Sequence, residues 1–180
     1  MNWDKVRDTI HARVGSMSKG EQFRFFCSWY GGIAYVGGKE NYVYGSDCSG
    51  VVCGPLYLMG YDIRCTANDL FREIFTDEVD GYEDREQIMA AFYVTREPTK
   101  HFGEMVPAGH ITHVAPMVGR YVVMNAFDPI QPMAASYVYK WYDRNGKDTV
   151  WRQLNWEALE AHHKAGNLLW GLDPVLEGLR

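Results

Sequence analysis

The stretch Tyr44 to Gly54, YGSDCSGVVCG, sets a cysteine between an aspartate and a serine at the end of a glycine-bounded turn. Apolar residues follow at once, so Cys48 stands where a loop becomes a helix. The unpaired N–H groups and the dipole of a first helical turn favour negative charge. A thiol held there is expected to ionise more readily, and the thiolate is the nucleophile. The same N–H groups can also receive the oxyanion of a carbonyl under attack. Cys53, five residues on, reads as a buried apolar thiol, and Cys27 and Cys65 carry no comparable signal.

A nucleophilic cysteine needs a base, and the base needs an orienting group. The histidines are His11, His101, His110, His113, His162 and His163. His162 and His163 are adjacent in a polar helix and read as solvated surface. His110 and His113 begin an apolar run, HITHVAPMV, followed through Gly119-Arg120 by a second run, YVVMNAF. Two such runs predict an antiparallel hairpin. With the turn centred on Gly119, His113 lies opposite Asn125, whose amide can orient an imidazole, and His110 lies opposite Asp128, beyond the strand. His113 is therefore the better base. A two-residue turn would shift the register by one, so this pairing requires a three-residue loop or a bulge.

Around these residues the pattern gives short helices over 4–14 and 20–30, a Gly- and Tyr-rich loop to Asp47, and a helix from Cys48 closed by Gly60. Pro55 falls inside that helix, where it removes a hydrogen bond. A further helix covers 66–75, and an acidic, solvated excursion follows over 76–87. Residues 88–95 fit helix or strand. Pro98 and Pro107 bracket a loop. SYVYKWY and TVWRQL predict a second hairpin around Asn145-Gly146. Asn155 caps a last helix ending at Gly166. Pro116 implies that its strand is an edge or is bulged. Helices, then antiparallel strands, then a helix is an α+β order, with helices on one side of the sheet.

At 180 residues, with 47% apolar and 14% aromatic residues, the chain is expected to form one globular domain. A net charge of −5 and no basic, aromatic-interleaved stripe argue against nucleic acid. No apolar stretch approaches the roughly 20 residues of a membrane span. The N-terminus, MNWDKVRDTIHARVG, lacks a signal-peptide pattern, so the four cysteines are expected as reduced thiols. No Cys/His cluster has zinc spacing. A metal site on His101, Glu104, His110 and His113 is disfavoured, because HxxH on a strand does not put both imidazoles on one face.

DCSGVV, His113, and a polar residue twelve positions later resemble the NlpC/P60 family of papain-like cysteine peptidases. GIAYVGG is similar to that family's tyrosine-containing PYxWGG segment, and GYDIRCTANDLF follows the cysteine helix as its GI-LPRTSAQQ does. The resemblance covers roughly Trp29 to Phe127. It implies a papain-like α+β fold, the nucleophile's helix packed on an antiparallel sheet that carries the base. It assigns Cys48 as nucleophile, His113 as base and Asn125 as orienting residue. Tyr35 would line the oxyanion site, and Asp47 and Ser49 would contact a substrate's free amine. The implied reaction is hydrolysis of peptidoglycan stem peptides, usually between D-glutamate and the diamino acid, through a thioester and without metal or other cofactor. The alternative is a non-catalytic or differently specific module, such as a phage or secretion-system component or a hydrolase of another amide or ester. The expected layout is one catalytic domain over 1–180, with an insertion at 76–110 and a C-terminal extension at 143–180. Such a substrate lies outside the cytoplasm, so delivery by a phage particle, a lysis system or a secretion machine is expected, or else the recycling of imported fragments. The chain departs from the family pattern: the aromatic of YxWGG is missing, AGHI replaces the usual GD before the histidine strand, Pro55 interrupts the helix, Pro116 follows His113 by three residues, and residues 76–110 are longer than the usual connection.

Overall fold

Residues 88–95, compatible by pattern with helix or strand, are strand: β4 (Met89–Thr95) runs through the middle of a six-stranded antiparallel sheet. Ala90 and Phe92 point into one apolar cluster and Met89, Ala91 and Tyr93 into another. A strand buried on both faces reads as a continuous apolar run, which is why alternation is invisible there. The computed structural model describes residues 3–79, 86–120, 122–126, 134–137, 147–166 and 174–180.

The sheet runs β3 (Asp77–Glu78), β10 (Lys147–Gln153), β4, β7 (Ile111–Gly119), β8 (Val122–Asn125), β9 (Ala134–Tyr137). The expected β7–β8 hairpin is present. Of the expected second hairpin, residues 138–146 lie outside the described ones; in the described parts, β9 pairs with β8 at one edge and β10 lies between β3 and β4. The Asn-Gly signal is local, but the place of a strand in a sheet is decided by distant partners. Asn145-Gly146 itself lies outside the described residues. The stretch bracketed by Pro98 and Pro107 is also ordered, as a small separate hairpin of β5 (Thr99–His101) and β6 (Glu104–Val106). A still shorter pair, β1 (Glu40–Asn41) and β2 (Gly45–Ser46), lies within the loop before Cys48.

Helices α1 (Trp3–Val14), α2 (Lys19–Ser28), α3 (Gly50–Leu58), α4 (Ala67–Asp69), α5 (Trp156–Ala165) and α6 (Pro174–Leu179) complete the described elements, with a π turn at Leu70–Ile74 continuing α4. Phe23 and Cys27 of α2, Val52, Cys53 and Leu56 of α3, Leu70 and Ile74 of the π turn and Leu159 of α5 pack together with Ala90, Phe92, Ile111 and Val114 of the sheet. This is the α+β arrangement, with these helices collected on one face. Ser18 caps α2 in a reciprocal box with Glu21, and Asn155 caps α5 through Ala158 N–H.

Pro55 has a partner-level explanation. It cannot donate to the carbonyl four residues back, Val51. Cys27 lies across from that carbonyl, with Sγ 3.7 Å from Val51 O. Burial pushes the Cys27 thiol well up, so it keeps the proton it donates. Pro116 sits in an interior strand rather than an edge, paired with Ala90 on β4. On the β8 side the ladder reaches only Met117–Val123, so the missing N–H stands just where that pairing has ended.

Candidate active site

The loop before α3 is built around Arg64, whose side chain is 0% exposed between two carboxylates. Its Nε donates to Glu40 Oε2 at 2.9 Å, Nη2 to Asp47 Oδ2 at 2.9 Å and Nη1 to Ser49 Oγ at 2.8 Å. Asp47 Oδ1 accepts from Ser49 Oγ at 2.9 Å and Gly50 N–H at 2.7 Å, and Oδ2 also accepts from Gly38 N–H at 2.7 Å. The polar atoms of Asp47 and Ser49, given by resemblance to a substrate amine, are thus bonded within the protein. Arg64 and Glu40 were not singled out from sequence. A lone arginine between Ile63 and Cys65 was the available signal, since arginine is almost never fully buried unless paired.

Cys48 is partly exposed at the N-terminal end of α3, two residues before Gly50 and next to the helix cap Ser49. The helix begins at Gly50 rather than at Cys48, with Ser49 as its cap. Its first N–H groups are committed: Gly50 N–H to the Asp47 carboxylate and Val51 N–H to Asp47 O at 3.1 Å. Desolvation and the Asp47 carboxylate push the Cys48 thiol up to about 12, against the backbone N–H groups of Val114 and Ser49 and the Arg64 cation, which pull it down. The helix end therefore does not leave a standing thiolate, contrary to the sequence-based expectation. Cys48 packs against the apolar cluster that includes Val114 of β7, the residue after His113. All four cysteines are thiols.

His113 is buried and stacks on Tyr93, with ring centroids 5.2 Å apart and planes 27° from parallel. Its Nε2 lies 2.8 Å from Asn125 Oδ1, and Asn125 is itself buried. An amide oxygen only accepts, so Nε2 carries the proton and Nδ1 is the acceptor of the neutral ring. The pair forms through a register different from the one deduced. Met117 faces Val123 and Gly119 faces Val122, with a shift between them. Extending the Met117–Val123 pairing puts Ala115 opposite Asn125, and His113 two residues further along the same face. The bulge that the sequence required is present, and an error of two residues leaves the face unchanged.

A cleft of about 490 Å³ opens over Cys48. Tyr35, Gly38, Asp47 and Ser49 wall it on the loop side, and Thr66 to Asn68 close another. His110, Ile111 and Thr112 enter from the start of β7, and His101 and Phe102 from the β5–β6 hairpin. Burial, with Cys48 and Asp47 nearby, pushes the Tyr35 phenol well up, so it stays a donor. The remaining histidines have other settings. His11 is exposed on α1. His162 Nε2 lies 2.9 Å from Glu73 Oε2, and His163 Nδ1 accepts from Asp62 N–H at 2.9 Å. The last two thus hold α5 to its neighbours rather than standing in solvent as their sequence setting suggested. Asp128 lies outside the described residues. Among the described residues no group of three His, Cys, Asp or Glu side chains is placed to hold a metal, and no helix is long and apolar enough to cross a membrane.

No family model matches the chain, and no curated protein matches it. Among solved structures, a protein described as similar to lipoprotein, of the NLP/P60 family, from Staphylococcus aureus subsp. aureus Mu50, matches with a TM-score of 0.53 and 19% identity. The match covers 73% of this chain and 40% of that one, so this chain corresponds to less than half of that protein's length. At this identity the likeness is one of fold.

Proposed function

We propose that the protein is a cysteine hydrolase in which Cys48 attacks an amide carbonyl, His113 moves the proton and Asn125 orients His113. The observation that carries the proposal is the buried His113 Nε2–Asn125 Oδ1 pair at 2.8 Å, on the strand whose preceding residues, Ile111 and Thr112, line the same cleft as Cys48. The fold likeness to an NLP/P60 protein agrees with it.

With the thiol pushed up, attack and deprotonation are coupled. His113 Nδ1 takes the proton as Sγ bonds to the carbonyl carbon. The developing oxyanion is stabilised by Ser49 N–H and the Tyr35 hydroxyl. His113 then protonates the leaving amine, the C–N bond breaks, and a thioester remains on Cys48. Water, deprotonated by the same imidazole, cleaves the thioester, releasing a carboxylic acid and restoring the thiol. Asp47, Arg64 and Glu40 hold the loop that presents Cys48.

The substrate in this reading is a peptidoglycan stem peptide, cut between D-glutamate and the diamino acid, which entails delivery of the protein to the wall or import of its fragments. Mass spectrometry of sacculi and of soluble stem tri- and tetrapeptides after incubation is the test. Fragments carrying one added water at that bond are expected. If neither material is cleaved, the substrate assignment fails.

A further inference from the structure

The β5–β6 hairpin ends in a turn whose first residue does not suit it. Phe102 has φ +49 and Gly103 φ +88, two consecutive left-handed residues. A turn of this kind favours Asn, Asp or Gly at its first position, and a bulky side chain there is strained. Phe102 is the one non-glycine residue of positive φ among those described, and it is 81% exposed. Neither folding nor packing asks for a phenylalanine here. Yet the residue lines the cleft over Cys48, and His101 beside it, ring centroids 4.3 Å away, lines it too.

The rest of the cleft says what such a ring could meet. Its described lining includes no lysine or arginine, and its one carboxylate, Asp47, is bonded to Arg64 and to backbone N–H groups. Phe102, Ile111 and Ala67 give it apolar surface, beside the imidazoles of His101 and His110 and the side chains of Thr66, Asn68 and Thr112. With no lysine or arginine and no unbonded carboxylate, such a surface favours an apolar group over a charged one.

We infer that the β5–β6 hairpin is a specificity lip, and that Phe102 packs on an uncharged, apolar group of the substrate beside the bond that Cys48 attacks. The inference rests on Cys48 as nucleophile and not on wall peptides as substrate. A side chain bearing a carboxylate or an amine is disfavoured at this subsite, so with a D-glutamyl–diamino acid bond, charged on both sides, the group that meets Phe102 belongs to the next residue along the peptide.

Three chloroacetamides test it: N-benzyl, N-carboxymethyl and N-(2-aminoethyl). Each rate of Cys48 alkylation is divided by that reagent's rate on N-acetylcysteine. The benzyl reagent should lead the two charged ones by roughly three- to tenfold, the range of one aromatic contact. Phe102→Asn, which suits the turn and preserves the fold, should abolish the lead, whereas Phe102→Tyr should keep it. An undiminished lead in Phe102→Asn overturns the inference. If no reagent labels Cys48, the nucleophile reading fails instead. The lip is then read with unreactive N-benzylacetamide by saturation-transfer NMR: transfer in the wild type and its loss in Phe102→Asn are expected, and no transfer, or transfer kept in the variant, overturns it.

Discussion

Cys48 shows how a helix end can fail to supply what it offers in general. The first-turn donors are spent on Asp47, whose carboxylate then opposes a thiolate next to it. With the thiol pushed up to about 12, the charged form is disfavoured in the folded protein. The thiolate fraction therefore rises about tenfold per pH unit from neutrality to well above pH 9, beyond the ordinary thiol range near 8.5. Iodoacetamide labelling of Cys48 should climb without a plateau between pH 6 and 10. A midpoint at or below 8.5 would contradict the balance described here. Arg64 is the second residue with a sharp consequence. Arg64→Met leaves the buried carboxylates of Asp47 and Glu40 without the cation between them, at a cost of about 3–5 kcal/mol. Urea denaturation, with the slope unchanged and the midpoint lowered, checks it. The DCSG stretch made Cys48 legible in the sequence. Arg64 was harder to see, because burial of a charge is a property of its partners, Glu40 and Asp47, which lie 24 and 17 residues away.

The elements carry their own test in Pro55. The Val51 carbonyl that it leaves without a helical donor is met by the Cys27 thiol from α2. Cys27→Ala should cost about 1–2 kcal/mol, from the unmet carbonyl and the small cavity. In a Pro55→Ala background the helix supplies its own donor, so the carbonyl part of that cost should vanish. A double-mutant cycle by chemical denaturation isolates the coupling, and additive losses would contradict it. Gly50 is constrained from another direction: a Cβ there would lie 2.2 Å from Lys39 O, a backbone atom that cannot swing aside. The β7–β8 pairing illustrates which parts of element geometry a sequence reveals. Alternation along HITHVAPMV and YVVMNAF set the faces of His113 and Asn125. It did not set the register, because the shift near Met117 depends on how the turn and the β4 neighbour twist the strand. The π turn at Leu70–Ile74 was equally hidden, since its periodicity over one turn resembles that of an α-helix.

At the scale of the molecule, the site lies where three bodies meet: the Arg64-centred loop, the start of β7 and the β5–β6 hairpin. The α+β order was readable from the succession of elements. The sheet order was not, because β10 crosses to the far side of β4 from β7 and only the fold as a whole decides that. The C-terminal α6 packs on α1 and α3, with Leu176 and Leu179 buried and Arg180 bonded to Asp62 and to Gly60 O. Deleting residues 174–180 should remove about 3 kcal/mol of apolar burial and lower Tm by roughly 10 °C in calorimetry. An unchanged Tm would show that α6 adds nothing to the fold. The central claim is that Cys48, His113 and Asn125 work as one hydrolytic unit. Its most direct measurement is turnover of a stem tripeptide, followed by mass spectrometry, for wild type, Cys48→Ala, His113→Ala and Asn125→Ala side by side. We expect the first two variants to fall to background and Asn125→Ala to retain a reduced rate. Wild-type turnover by Cys48→Ala or His113→Ala would contradict the account.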